Sequence, residues 1–363
     1  MINTFEAGEN LSGLKREDFQ KVIDGKQTDL FILKNENGAE AAVTNYGGAI
    51  LTIMVPDKNG NYANVVQGHD SIDHVVNSPE PFLSTLIGRY GNRIAGGKFE
   101  LDGKEYSLVI NNGPNALHGG PTGYHARIWD AEQTSPQSVK LHYLSVDGEE
   151  GFPGNLDITV VYTFTNDNEF IIDYTATTDK KTVINMTNHS YFNLNGDPSV
   201  SSMNQVLYLA ADSITPVDDT FMTSGEMMAV AGTPFDFNTP KAIETDVNNF
   251  DNEQIKFGKG FDHNWVLKTK GNINQVAAKL TSPTTGITLE VYTDEPGIQL
   301  YTGNFLDGTV KGKKGIVYPQ RASVCLETQH YPDSPNKPHW PSVILEPGQT
   351  YTSHCIFKFG IVK

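Results

Sequence analysis

The chain alternates apolar and polar residues over short segments that turn residues separate. In the clearest example every second side chain is apolar, at Leu156, Ile158, Val160, Tyr162 and Phe164. After the polar residues 166–168 the alternation resumes with Phe170, Ile172, Tyr174 and Ala176. Alternation with a period of two on both sides of a turn is typical of a β-hairpin, because successive strand residues point to opposite faces. We therefore predict two antiparallel strands between residues 156 and 176.

Turn signals recur along the chain, whereas helical signals are scarce. Four dipeptides that favour tight strand reversals are flanked by β-type residues: Asn37-Gly38, Asn59-Gly60, Asp102-Gly103 and Asp147-Gly148. Helical periodicity is confined to residues 15–23 and 71–76, each long enough for about two turns. No repeat or linker divides the chain, and residues 248–259 are its one polar excursion. The pattern predicts an all-β fold, a single antiparallel sandwich or barrel with few short helices.

Composition and charge narrow the choice of partners. The 363 residues are 38% hydrophobic and 19% charged, which is typical of a globular protein. The net charge of −16 argues against nucleic acid and anionic membranes, whose binding needs clustered Lys and Arg. No apolar run approaches the roughly 20 residues that span a bilayer. We therefore expect neither a nucleic acid nor a membrane as a partner.

The first dozen residues are polar and acidic and lack the cationic and apolar regions of a signal peptide. A cytoplasmic location is therefore expected, with the periplasm or export left open because a chain that has lost its signal peptide would look the same. Cys325 and Cys355 are too few for a disulfide framework and lie in apolar strand-like runs, which predicts buried free thiols. No cluster of Asp, Glu or His shows metal-ligand spacing, so no metal is expected.

Residues 182–196 begin like a strand and then turn abruptly polar. Asparagines alternate there with apolar and aromatic residues, and His189 stands among them. Amides hydrogen-bond hydroxyls, rings cover apolar C–H faces, and an imidazole moves protons near neutral pH. The segment is therefore typical of a site for a small polyhydroxylated ligand, although a histidine hydrogen-bonded inside a sheet would use the same residues.

Five other segments carry side chains suited to such a ligand. His118 precedes two glycines that leave room beside its ring, and Glu327 follows an apolar run, where burial raises the proton affinity of a carboxylate. Arg93 lies in a loop with two glycines, Asp262 lies between two aromatic residues, and Gln299 shares a strand face with a tyrosine. Each also has a structural interpretation: a core histidine, a strand-end glutamate, a surface ion pair, core packing or a solvated strand face.

The number of candidate carboxylates separates the reaction classes. Glycoside hydrolysis normally needs two carboxylates across the scissile bond. Here the candidates are histidines and one strong glutamate, with Asp262 as the sole choice for a second carboxylate. This set favours proton transfer to and from a sugar without a covalent step, and it makes a hydrolase the weaker alternative.

Seven motifs in the sequence closely resemble those of the aldose 1-epimerase (galactose mutarotase) family. They run in the family's order from about residue 29 to the C-terminus: GRYGNRIA (88–95), NALHGG (115–120), TNHSYFNL (187–194), ITPVD (214–218), GTPFDF (232–237), GFDH (260–263) and LETQHYPDSPN (326–336). The resemblance implies a galactose mutarotase-like β-supersandwich over residues 29–363, with residues 1–28 as an N-terminal extension that packs on or leads into it. It also implies no cofactor, a small-molecule aldose as the ligand, and a monomer or weak homodimer.

The resemblance further implies a role for each matching residue. Glu327 is expected to be the general base that takes the proton from the anomeric hydroxyl, and His189 the general acid that protonates the ring oxygen. His118 is expected to hold or polarise the sugar near that oxygen. The implied substrate-binding residues are Asn92, Arg93, His118, Tyr191, Asp262 and Gln299.

Two segments depart from the family pattern, residues 124–126 and 221–226, and either could change the preferred sugar. A sugar-binding module without activity would be expected to have lost His189 or Glu327. An epimerase of hexose 6-phosphates would need additional Lys or Arg around the C6 end of the sugar. The predicted function is therefore interconversion of the α and β anomers of free aldohexoses, in hexose metabolism.

Overall fold

The computed structural model describes residues 10–362, and strands dominate them. The α-helices are α1 (Ile72–Val76) and α2 (Glu253–Gly258), and the 3₁₀ helices are Arg16–Phe19, Ala95–Gly97, Tyr124–Ala126, Glu149–Gly151, Ile243–Thr245, Lys313–Gly315 and Ser334–Asn336. In chain order the strands are β1 (Val22–Ile23), β2 (Lys26–Gln27), β3 (Leu30–Lys34), β4 (Glu40–Thr44), β5 (Ile50–Pro56), β6 (Tyr62–Asn64), β7 (Leu86–Ile87), β8 (Arg93–Ile94), β9 (Lys98–Leu101), β10 (Lys104–Ser107), β11 (Ala116–Leu117), β12 (Asp130–Ser135), β13 (Ser138–Ser145), β14 (Leu156–Phe164), β15 (Glu169–Thr178), β16 (Thr182–Val183), β17 (Thr187–Asn188), β18 (Tyr191–Phe192), β19 (Val206–Leu209), β20 (Ala211–Thr215), β21 (Met228–Ala229), β22 (Lys241–Ala242), β23 (Asp262–Leu267), β24 (Ala278–Thr281), β25 (Ile287–Thr293), β26 (Gly297–Tyr301), β27 (Val324–Gln329), β28 (Ile344–Leu345) and β29 (Tyr351–Ile361).

Three larger sheets organise these strands. The nine-stranded sheet has the order β12-β13-β14-β15-β29-β25-β24-β19-β22, and the six-stranded sheet has the order β18-β27-β26-β23-β20-β21. A four-stranded sheet, β3-β4-β5-β6, and five two-stranded pairs complete the described residues. The strand pairs are antiparallel, which confirms the predicted all-β fold.

The predicted hairpin is confirmed in β14 and β15. Its alternate residues from Leu156 to Phe164 are fully buried, and Phe164 lies opposite Phe170 across the pair. The turn glycines also fit their predicted places, since Gly38, Gly60 and Gly103 each have a positive φ between paired strands. Local alternation therefore gave this part of the fold correctly.

The main core lies between the large sheets and covers only one face of the six-stranded sheet. Ile298 and Leu300 of β26 and Leu326 of β27 join the same apolar cluster as Val291 and Phe357 of the nine-stranded sheet. The residues between them, such as Gln299 on β26 and Glu327 on β27, must point the other way. The face that turns away from the core is therefore where the polar candidates lie.

The helical predictions were only partly right. Residues 72–76 form α1, with Ser71 accepting a hydrogen bond from the backbone of His74 as its cap. In place of two turns over residues 15–23, only Arg16–Phe19 is 3₁₀-helical, because the chain becomes extended at Gln20 to pair β1 with β2. The polar excursion contains α2, which the sequence analysis did not predict. Neither helix is long and apolar enough to cross a membrane.

The segment that precedes the predicted domain boundary packs on the sheet β3–β6. Phe19 is fully buried in a small apolar cluster with Leu30 and Leu51. The backbone N–H groups of Leu11 and Ser12 donate to the carboxylate of Glu40, and residues 1–9 lie outside the described residues. The division at residue 28 stays a prediction. Both cysteines are buried free thiols, as expected.

Candidate active site

Three neighbouring strands of the six-stranded sheet, β23, β26 and β27, place polar side chains on the same face. Gln299 lies directly opposite Glu327 on one side and opposite Asn264 on the other. Asp262 precedes Asn264 by two residues and therefore shares its face. Asp262 is 8% exposed, Gln299 3% and Glu327 2%. The strand register thus gathers an aspartate, a glutamine and a glutamate into one buried polar patch.

The chain just before β18 adds a histidine to this patch. Tyr191 lies opposite Cys325, which precedes Glu327 by two residues. The imidazole of His189 stacks on the Tyr191 ring, with centroids 4.9 Å apart and planes inclined by 19°. Nε2 of His189 lies 3.6 Å from Oε1 of Glu327, just beyond a direct hydrogen bond. Acid and base candidates therefore face each other in the same buried space.

The second histidine comes from the loop that follows β11. Leu117 pairs with Arg93 on β8, so the two loops that carry His118 and Asn92 run side by side. The backbone N–H of Asn92 donates to Nδ1 of His118 at 3.0 Å, and the backbone N–H of His118 donates to the carbonyl oxygen of Asn92 at 3.0 Å. Because Nδ1 accepts a hydrogen bond, the proton of a neutral His118 is on Nε2. This imidazole therefore offers an N–H donor.

Arg93 and Gln299 hold the carboxylate of Asp262 from two sides. Nη2 of Arg93 lies 4.0 Å from Oδ2 of Asp262, and Nε2 of Gln299 donates to Oδ1 at 2.9 Å. Nε of Arg93 donates to the side chain of Asn112 at 2.9 Å, which fixes the guanidinium plane. The group is rich in donors and acceptors, as a ligand with several hydroxyls requires.

The structure brings all the sequence-predicted residues together. His118, His189 and Glu327 each offer a side-chain atom within 4.8 Å of the other two, and the two imidazole centroids are 5.3 Å apart. Around these three lie the remaining predicted residues, namely Asn92, Arg93, Tyr191, Asp262 and Gln299. The roles given to them individually stay predictions.

Burial changes the titration of the three central groups in opposite directions. The pKa of Glu327 is raised well above 4.5, by burial first and then by the charge of Asp262, while Arg93 opposes the shift. Burial lowers the pKa of His189 to about 3 and also lowers the pKa of His118. The positive charge of Arg93 lowers both pKa values further. Burial therefore favours neutral imidazoles, and the carboxyl holds its proton more tightly than usual.

Two atoms at the centre have no protein partner among the described residues. Nδ1 of His189 and Oε2 of Glu327 are buried and make no hydrogen bond. A buried polar atom without a partner costs about 1–3 kcal/mol. A bound ligand with hydroxyl groups would satisfy Oε2 of Glu327 directly.

The same three side chains have the donor types of a metal site. Two imidazoles and a carboxylate within 4.8 Å of one another could ligate a cation, which sequence spacing did not show. Two features oppose this use. His118 would have to give up either the proton on Nε2 or the hydrogen bond at Nδ1, and Arg93 places a positive charge nearby. Acid–base chemistry fits the observed tautomer better.

Sequence reasoning missed Phe82, a half-buried aromatic residue in the loop before β7. Its ring lies edge-on to His118 at 4.8 Å and to His125 at 4.6 Å, and parallel to His189 at 6.3 Å. It therefore forms an apolar wall over both candidate histidines. An isolated phenylalanine in a turn-rich segment has no periodicity, so no local signal pointed to it.

Both segments that depart from the family pattern reach the rim of the site. His125 contacts Phe82, as described above, and the Phe221 ring lies 4.8 Å from the guanidinium carbon of Arg93. Phe221 has a φ of 63°, in the left-handed region that bulky residues rarely adopt. Residues with such strained backbones cluster at active sites and ligand-binding sites. His125 therefore packs on Phe82, and Phe221 packs on Arg93, which is predicted to bind the sugar.

The sequence of the chain matches those of known proteins from one family. The sequence model described as aldose 1-epimerase matches residues 29–358. Galactose mutarotase of Bos taurus is 41% identical over 319 residues, which cover 88% of this chain and 90% of the relative. Aldose 1-epimerase of Escherichia coli K12 is 38% identical over 338 residues, covering 93% and 96%.

Solved structures agree with the sequence matches. An aldose epimerase homologue from C. elegans superposes with a TM-score of 0.85 at 32% identity and covers 93% of this chain and 100% of the other. Galactose 1-epimerase from Lactobacillus acidophilus superposes with a TM-score of 0.82 at 29% identity, covering 94% and 97%. The family match over most of the chain and the identity to these relatives show that the protein belongs to the aldose 1-epimerase family.

Proposed function

We propose that the protein interconverts the α and β anomers of free aldohexoses such as glucose and galactose, as an isomerase of hexose metabolism. The observation that carries this proposal is the facing pair of His189 and Glu327, 3.6 Å apart in a buried polar patch that is rich in donors and acceptors. The names of the relatives, galactose mutarotase and aldose 1-epimerase, support the same reaction.

The reaction divides between the two facing groups. Glu327 takes the proton from the anomeric hydroxyl while His189 protonates the ring oxygen, and the C1–O5 bond breaks. The aldehyde end rotates about C1–C2, and the ring recloses with the two roles reversed. His118 donates from Nε2 near the ring oxygen and favours the charge that develops there.

One proton serves the whole cycle. The pyranose requires a carboxylate at Glu327 and an imidazolium at His189, whereas ring closure of the aldehyde starts from a carboxylic acid and a neutral imidazole. Both states hold one proton. The raised pKa of Glu327 and the lowered pKa of His189 favour the second state before a sugar binds. A bound pyranose can favour the first by hydrogen-bonding the carboxylate.

The remaining residues hold the sugar. Arg93, Asp262 and Gln299 supply donors and acceptors for its hydroxyls, and Tyr191 with Phe82 covers its C–H surfaces. We expect a monomer or weak homodimer in the cytoplasm that needs no cofactor.

Polarimetry of freshly dissolved α-D-glucose and α-D-galactose tests the proposal. Wild type should speed the approach to anomeric equilibrium, and Glu327→Gln and His189→Ala should each lose at least about 100-fold, since a positioned acid or base contributes ~10²–10⁴-fold. The exposed His74→Ala and Glu105→Gln are the controls and should keep wild-type rates. Wild type indistinguishable from buffer would refute the reaction and favour a binding module.

A further inference from the structure

Two buried amides connect Asp262 to the end of β27. Gln299 donates to Asp262, as described above, and its own Oε1 accepts a hydrogen bond of 3.3 Å from Nε2 of Gln329. The same Nε2 donates to Oδ1 of Asn264 at 3.2 Å. Gln329 is fully buried and lies two residues beyond Glu327 on the same strand face. The chain of hydrogen bonds therefore crosses β23, β26 and β27.

The charge of Asp262 sets the direction of every bond in this chain. An ionised carboxylate only accepts, so Gln299 must turn its NH₂ group towards Asp262 and its oxygen towards Gln329. That oxygen also only accepts, so Gln329 must present its own NH₂ group. Reversing a single amide would oppose two oxygens or two NH₂ groups in a buried place, where unpaired polar groups are costly.

The observed order of hydrogen bonds leaves two buried polar atoms unpaired. Oε1 of Gln329 and Nδ2 of Asn264 are buried without a partner in the described residues. Turning both amides would pair these two atoms with each other, but it would place Oε1 of Gln329 against Oε1 of Gln299. The observed arrangement therefore preserves the hydrogen bond that Gln329 donates to Gln299 and leaves the other two atoms unpaired.

We propose that Gln329 is a positioning residue for anomer interconversion, which fixes the end of the Gln299 amide that meets Asp262 and the sugar. This inference rests on the proposed function for its catalytic consequence. Gln329 is not among the residues assigned to the sugar; it acts through Gln299.

The variant Gln329→Glu tests the direction of the hydrogen bond. When protonated, the introduced carboxyl donates to Gln299 as the amide does; when ionised, it can only accept and forces the Gln299 oxygen towards Asp262. The kcat/KM of the variant relative to wild type should therefore fall about tenfold or more as the pH rises, in proportion to the lost buried hydrogen bond. The exposed Gln349→Glu is the charge-matched control and should show a flat ratio.

The surrounding charges predict the opposite pH trend, which makes the test selective. The titratable groups on the packed elements are Glu327 on the same strand, Asp262 on β23, Arg93 on β8, and the pair of Glu295 and His330, whose Oε2 and Nδ1 are 2.6 Å apart. A new negative charge near Glu327 would raise the pKa of that base. Its effect alone would keep the shared proton on Glu327 to higher pH and would raise the kcat/KM ratio at alkaline pH.

A second variant and a spectroscopic readout cover the remaining outcomes. Gln329→Met keeps the length but has no donor, and its kcat/KM should fall about tenfold at every pH. The side-chain NH₂ signals of Gln299, assigned with Gln299→Met, should shift with pH in Gln329→Glu and not in wild type. Activity and NMR shifts within error of wild type in both variants would overturn the inference. Inactive wild type with the expected NMR shifts would instead overturn the reaction while retaining the positioning role.

Discussion

Glu327 is 2% exposed, and burial together with the charge of Asp262 holds the pKa of its carboxyl well above 4.5. Because burial lowers the pKa of His189 to about 3, the one proton that the reaction needs lies on Glu327, and activity should be lost as the pH rises through the raised pKa of Glu327 and this proton leaves the site. Arg93 acts in the opposite sense, because its positive charge favours the carboxylate. The two neighbours therefore tune one base in opposite directions.

We predict that substitutions of these neighbours displace the alkaline limb of kcat/KM in opposite directions. Asp262→Asn removes a negative charge and should move the limb to lower pH, whereas Arg93→Met removes a positive charge and should move it to higher pH. Each should also lower kcat/KM about tenfold through lost sugar contacts. Polarimetric rates over a pH series measure both effects, with the exposed Asp73→Asn as the control. Limbs that move together would contradict the assignment of Glu327 as the base.

At the scale of elements, the loop after β11 depends on glycine to present His118. Gly119 has a φ of 81°, and a Cβ at this position would overlap the carbonyl oxygen of Gly88. Gly113, in the loop before β11, has a φ of 55° but nothing within 4 Å of a Cβ. Substitutions at these two glycines can therefore separate the cost of a left-handed backbone from the cost of close packing.

We predict that Gly119→Ala lowers the free energy of unfolding by at least ~3 kcal/mol, because the overlap adds to a left-handed backbone penalty of about 1–2 kcal/mol. Gly113→Ala carries the backbone penalty alone and should lose about 1 kcal/mol. Gly119→Ala should also reduce activity, since the displaced loop carries the Nε2–H donor of His118. Urea titration and polarimetry measure the two effects, and equal losses for both variants would show that close packing at Gly119 is unimportant.

At the scale of the whole molecule, Arg89 ties distant segments to the site. It is 1% exposed and donates to the carbonyl oxygens of Pro153 and Ser145, and to the hydroxyls of Ser145 and Thr182. These partners precede β14, end β13 and begin β16. One guanidinium therefore holds three regions of the sandwich beside the loop that leads to Arg93.

We predict that Arg89→Met lowers the free energy of unfolding by about 3–5 kcal/mol, because it leaves buried acceptors without donors. The exposed Lys140→Met on β13 is the control and should change it by no more than ~0.5 kcal/mol. Denaturant midpoints of the two variants make the comparison. Similar midpoints would mean that the segments are held together by apolar packing alone.

The sequence by itself determined the all-β class, the hairpin of β14 and β15, and the residue types of the site. Strand alternation and turn dipeptides are local, so they can be read without knowing what packs on them. The family motifs supplied His118, His189 and Glu327, which residue types alone could not separate from core histidines and a strand-end glutamate.

Tertiary structure alone decided how these residues meet. Register places Gln299 between Glu327 and Asn264, and the pairing of Asn92 with His118 fixes a tautomer. The wall formed by Phe82 also depends on contacts between segments far apart in the chain. Local patterns carry no record of strand order or loop packing, because those follow from burying every apolar face at once.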